Sequence, residues 1–78
     1  MKFNIQKLRK DLITKRVIEL NMPLREAAEK IGISSATLSR IENGKTPEVD
    51  TFCNLCTWLE TKPNDYFIIP VKREDGIK

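Results

Sequence analysis

Residues 24–42, LREAAEKIGISSATLSRIE, constrain the fold more tightly than any other stretch of this chain. Leu24, Ala27, Ala28 and Ile31 recur at steps of three, one and three, which puts them on one face of a helix. Gly32 interrupts the pattern, because glycine tolerates the left-handed backbone that closes a helix. Ser34 then suits the N-cap of a second helix whose inner face is Leu38 and Ile41. Ala28 is small enough to let two helices cross at a sharp angle. The stretch predicts helix, short turn, helix.

A chain of 78 residues makes one domain, near the lower limit for a self-sufficient core. Apolar residues make up 40%, enough for a small globule without room for a buried cofactor site, so no cofactor is expected. No window approaches the ~18 consecutive apolar residues of a membrane span. Met1-Lys2-Phe3-Asn4 leads into a charged helix rather than the apolar core of a signal peptide. The expected location is therefore the cytoplasm, away from membranes. Catalysis has no footing either: there is no histidine, no glycine-rich phosphate loop and no pairing of a nucleophile with a base. The chain is not expected to be an enzyme.

Taken in order, Phe3–Leu20 predicts the first helix, with Ile5, Leu8, Leu12, Ile13, Val17 and Leu20 on a broad apolar arc. Arg16 projects into the middle of that arc, where a charge needs a partner or must extend outward along its stem. Asn21-Met22-Pro23 separates this helix from the next. Beyond the central stretch, Asn43-Gly44-Lys45 closes the second helix and Pro47 starts a new segment. A further helix, Val49–Glu60, has Glu48 and Asp50 at its N-terminus, complementing the helix dipole. It presents Val49, Phe52, Cys53, Leu55, Cys56 and Leu59 on one face and turns Trp58 away. Cys53 and Cys56 form a C-x-x-C, but zinc needs about four ligands. With neither histidine nor a second cysteine pair, the two thiols are expected to fill the core reduced, and no metal is expected. Ile68-Ile69-Pro70-Val71 is apolar and suited to packing back or pairing with a partner chain; Lys72–Lys78 is polar and expected to be disordered.

The set Leu24-Arg25-Glu26-Ala27-Ala28, Ile31-Gly32-Ile33-Ser34, Thr37 through Lys45, and Pro47 resembles the helix-turn-helix DNA-binding motif. More specifically it is similar to the Xre/Cro/C1 family, which includes the lambdoid phage repressors. The resemblance continues through Val49–Glu60 and a short helix near Pro63–Phe67, whose aromatic would plug the core. It implies an all-α fold: a compact four- to five-helix lambda-repressor-like domain over residues 1–69, with residues 70–78 as a polar tail. It also implies that Arg16 pairs with Glu42, although the interval from Arg16 to Leu24 is one residue longer than is usual, suggesting an insertion at Asn21–Pro23.

Matched to the motif, Ser35, Ala36 and Arg40 fall where side chains read base edges, while Ser39 and Thr37 fall closer to the backbone or to further bases. Arg40 can grip guanine O6 and N7 together, or hold a phosphate; both roles stay open. Asn43 and Lys45 match phosphate-contacting positions. Leu24 replaces a frequent glutamine that braces the complex, and neighbouring Arg25 can supply a phosphate contact or stay a solvated charge. The net charge of +3 is uneven, with ten Lys/Arg against five Asp/Glu in residues 1–45, where phosphates would be neutralised. Short Ser35 and Ala36 imply modest sequence specificity.

The implied function is binding of double-stranded DNA as a small repressor-like transcriptional regulator, or as the antitoxin of a toxin–antitoxin pair. The implied partners are an inverted-repeat operator in the nucleoid, a second copy of the chain in a homodimer to which Trp58 can contribute a contact, and a toxin. The alternative is a protein–protein interaction module that keeps the fold without specific DNA binding.

Overall fold

The computed structural model describes residues 2–68. Asn4 opens the first helix, its Oδ1 accepting the Lys7 backbone N–H at 3.1 Å. Helix α1 (Ile5–Ile13) buries Leu8 and Leu12 completely. From Thr14 to Glu19 the backbone continues as a π-helix, and the Leu20 N–H donates to the Lys15 carbonyl at 3.0 Å. Helices α2 (Leu24–Ile31), α3 (Ser35–Glu42) and α4 (Val49–Leu59) follow, then a 3₁₀ turn (Pro63–Tyr66). The fold is the expected all-α domain, with one small addition: β1 (Lys2–Phe3) pairs antiparallel with β2 (Phe67–Ile68), Lys2 opposite Ile68.

The π segment corrects the reading of the first helix. A π turn closes one residue later than an α turn, so the residue surplus between Arg16 and Leu24 is taken up upstream of Asn21–Pro23. Arg16 turns inward as expected, its side chain only 17% exposed. Val17 and Leu20, expected inside, are 43% and 45% exposed, because the wider winding carries them off the arc that regular α geometry predicts. Ile18 is exposed beside them.

The core joins Leu8 and Leu12 of α1, Ala27, Ala28 and Ile31 of α2, Leu38 and Ile41 of α3, and Phe52, Leu55 and Cys56 of α4. Helix α4 therefore buries a narrower stripe than its composition suggests: Val49 and Cys53 lie at the surface. Val49 starts the first turn, beyond the reach of the other helices, and Cys53 falls at the stripe's edge. Trp58, expected to point away, is half-buried and packs against the core.

Tyr66 is the aromatic plug of the short C-terminal helix. It is fully buried, and its hydroxyl donates to Asp11 Oδ2 at 2.8 Å and lies 3.1 Å from the Thr61 hydroxyl. The Lys7 ammonium sits 3.2 Å from the same Asp11 oxygen and 4.8 Å above the Tyr66 ring. Phe3 stacks edge-on against Phe52 and Phe67, with centroids 5.2 and 5.5 Å apart. The expectations for Ile69, Pro70, Val71 and the polar tail lie outside the described residues; Ile68 packs back through β1.

Two measurements check these constraints. Glu60 closes α4 with φ at 59°, in the left-handed region that glycine occupies without strain. Glu60→Gly should stabilise the domain by about 0.5–1 kcal/mol, raising the Tm, and a lower Tm would contradict the strain. Burial, and then the Asp11 carboxylate, push the Tyr66 phenol above its ordinary range. The fold then favours the neutral phenol, so this stability is complete below the unfolded pKa of about 10 and is lost as pH rises beyond it. In melts from pH 8 to 11 the native chain should lose more stability than Tyr66→Phe; parallel curves would refute the linkage.

Candidate nucleic-acid interface

The pair α2–α3 is shaped by its caps. Gly32 ends α2 with φ at 92°, and the N–H groups of Gly32 and Ile33 both donate to the Ala28 carbonyl, at 2.9 and 3.0 Å. The extended backbone of Ser34 then redirects the chain, and its Oγ accepts the Thr37 N–H at 3.1 Å. Fully buried Leu38 and nearly buried Ile41 hold α3 against the core, which leaves Ala36 and Arg40 on the exposed side and Ser35, Thr37 and Ser39 half-exposed.

Arg16 and Glu42 form the ion pair that the resemblance implied. Arg16 Nε and Nη2 each lie 2.8 Å from a different oxygen of the Glu42 carboxylate, a two-pronged arrangement. Arg16 Nη1 also donates to the Met22 carbonyl at 3.1 Å. The hydrogen bond to Glu42 raises the already high pKa of the guanidinium, so the arginine stays charged throughout the range in which the domain works. One contact thus fastens the π segment to the C-terminal end of α3 and to the turn before α2.

Other basic residues of the first helix are also engaged internally. Arg9 Nε donates to the Glu42 carbonyl at 2.8 Å, and Arg9 Nη1 to Gln6 at 2.9 Å. The Lys15 ammonium donates to the Trp58 carbonyl and lies 4.8 Å above the indole ring. Helix α4 has no basic residue in its last turn, so Lys15 supplies from outside the positive charge that favours a helix C-terminus. The basic excess in the first half is therefore spent partly on holding the fold, and only the remainder is available to phosphates.

The expected contact residues fall into two groups. Thr37, Arg40 and Lys45 line one concavity of about 250 Å³ at the C-terminal end of α3. Arg40 Nη2 donates to Thr37 Oγ1 at 3.3 Å, and the Ser34 hydroxyl donates to the same oxygen at 2.8 Å. Asn43 is exposed beside them; its side-chain amide spends one N–H on the Ser39 carbonyl at 2.9 Å and keeps a second. Arg25 is exposed elsewhere, in an open cleft it shares with Glu26, Glu29, Lys30 and Trp58. Thr46 and Thr51 join the Arg40–Lys45 concavity, and sequence reasoning passed them over. No local signal marks them, since their placement depends on how α4 approaches the end of α3. Among the described residues, no three His, Cys, Asp or Glu side chains gather as a metal site requires, and no helix is long and apolar enough to cross a membrane.

Comparison with known proteins agrees with this geometry. A family model described as helix-turn-helix matches residues 12–64, from the last buried turn of α1 into the 3₁₀ turn. Searches of curated proteins and of solved structures found no match.

Because the Arg16 and Glu42 side chains are only 17% and 12% exposed, removing one partner strands the other charge. Arg16→Met or Glu42→Gln should cost about 3 kcal/mol, lowering the Tm by roughly 15 °C. An Arg16→Met/Glu42→Leu double variant should recover most of that loss. Chemical denaturation measures all three, and near-native stability of either single variant would remove the pair from its central place.

Proposed function

The chain belongs to the Xre/Cro/C1-type helix-turn-helix family of DNA-binding regulators, and we propose that it binds a specific duplex sequence with α3 in the major groove. The observation that carries this reading is the exposed end of α3, where Arg40 and Lys45 converge with the hydroxyls of Thr37, Thr46 and Thr51 while Leu38 and Ile41 face the core. Glu48 also lines the concavity, but two cations and several hydroxyls outweigh its single carboxylate and suit a phosphate and the base edges next to it. Ser35, Ala36 and Ser39 are short and present little reach, so direct readout falls mainly to Arg40. Lys45, Asn43 and Thr37 position the backbone at this end, and Arg25 reaches a phosphate at the other.

One such helix reads few base pairs, so the protein acts as a homodimer on an inverted repeat with half-sites about 34 Å apart, and Trp58 is a candidate for the dimer contact. The biological role is a small repressor-like regulator or the antitoxin of a toxin–antitoxin pair. A protein partner has separate support in Val17, Ile18 and Leu20, three exposed apolar side chains on one π-wound turn and its cap. An interaction module that had kept the fold without specific DNA binding would use such a surface alone.

Selection from a random duplex library at moderate salt, followed by sequencing, separates these readings. An enriched inverted repeat is the expected result; no enrichment, with weak binding that vanishes as salt rises, favours the interaction module. On the selected site, Lys45→Ala should weaken binding to all sequences alike and reduce the slope of log K against log salt by about 0.9 for each phosphate no longer neutralised. Arg40→Ala should relax discrimination at one base pair by about 1–3 kcal/mol; equal losses across all sequences would assign Arg40 to a phosphate.

A further inference from the structure

The C-terminal end of α3 is closed in an uneven way. A helix leaves its last carbonyls without partners inside the helix. Here the Lys45 N–H donates to the Arg40 carbonyl at 3.0 Å and the Gly44 N–H to the Ile41 carbonyl at 3.0 Å. The turn itself thus satisfies Arg40 and Ile41. The final carbonyl, that of Glu42, is met from 33 residues away by Arg9 Nε at 2.8 Å. Gln6 holds the other side of the guanidinium, accepting from Nη1 at 2.9 Å. The Arg9 stem runs past Gly44, where an added Cβ would stand 4.0 Å from Arg9 Cδ.

We propose that Arg9 is a positioning residue of the DNA interface: by capping Glu42 and lying along Gly44, it fixes the turn from which Asn43 and Lys45 meet the DNA backbone. This rests on the DNA-binding reading above. Arg9 acts through the turn and touches no phosphate, so it differs in kind from Lys45. Its charge also sits at the negative end of the α3 dipole, which strengthens the cap. A charge-assisted hydrogen bond to a carbonyl is stronger than a neutral one, and the Gln6 contact limits the orientations that Arg9 samples.

The test compares the native chain with Arg9→Met, which keeps an apolar stem and removes donors and charge, and with Arg9→Lys, which keeps one donor. Binding is titrated on the selected duplex across salt concentrations, and amide hydrogen exchange is followed by NMR in the free proteins. Arg9→Met should bind about tenfold more weakly with native sequence preference, should leave the salt slope of Lys45→Ala unchanged when combined with it, and Arg9→Lys should lie between. In the free Arg9→Met protein, the Gly44 and Lys45 amides should exchange faster while the amides of α2 and α4 keep their protection. A salt slope that falls by a further ~0.9 when Arg9→Met is added to Lys45→Ala would overturn the proposal, since Arg9 would then neutralise a phosphate itself. Native affinity in Arg9→Met, or unchanged exchange at Gly44 and Lys45, would also overturn it. A native chain that binds no duplex at all refutes the DNA-binding reading and the interface role together, while the exchange data still report separately whether Arg9 holds the turn.

Discussion

The Arg16–Glu42 ion pair sits where three parts of the chain must agree: the π segment, the turn before α2 and the end of α3. Burial of Leu38 and Ile41 chooses the inward face of α3, but apolar contacts are non-directional and fix its exact rotation less sharply than a paired charge does. A guanidinium that meets both carboxylate oxygens at 2.8 Å admits one rotation. The pair therefore specifies the angle at which the exposed face of α3 leaves the core. The π winding keeps Arg16 inside while it carries Val17 outside.

The first helix is also where composition misleads most about charge. Lys7, Arg9, Lys15 and Arg16 meet Asp11 and Tyr66, the end of α3, the end of α4 and Glu42 respectively. Each lies against a negative group or a helix C-terminus, so the first helix works as an electrostatic clasp for the other helices. The cations that remain on the outer face of α3 and its following turn are few, chiefly Arg40 and Lys45. A surface with so few free cations gives any polyanion bound there a shallow salt dependence.

Much of this architecture can be read from residue order. The periodicity of Leu24, Ala27, Ala28 and Ile31, the break at Gly32 and the cap at Ser34 are local signals, and the observed α2 and α3 follow them closely. The inward turn of Arg16 was visible as a charge on an apolar arc. The features that escaped depend on distant parts of the chain. Nothing near Thr14 announces a π turn, since projection at a fixed angle assumes α geometry throughout. Cys53 and Trp58 lie at opposite edges of the α4 stripe, and which edge is covered depends on Lys15 reaching the Trp58 ring. The caps that Arg9 and Lys15 provide join residues 33 and 43 positions apart. For the interface, the motif names Thr37, Arg40 and Lys45 only one by one; their shared concavity, with Thr46 and Thr51 in it, exists only once α4 is in place.

The small pairing of β1 with β2 has a mechanical side. Lys2 lies opposite Ile68 and Phe3 opposite Phe67, so both ends of the described chain leave from the same end of the ladder. Tension applied between them would peel the ladder open one residue pair at a time, like a zip, instead of shearing all its bonds at once. The next resistance would come from the Tyr66 hydroxyl on Asp11 and the aromatic contacts of Phe3 with Phe52. A tether pulling on the two ends would thus open the ladder and load the closing turn first, while Leu8 and Leu12 still hold α1 in the core.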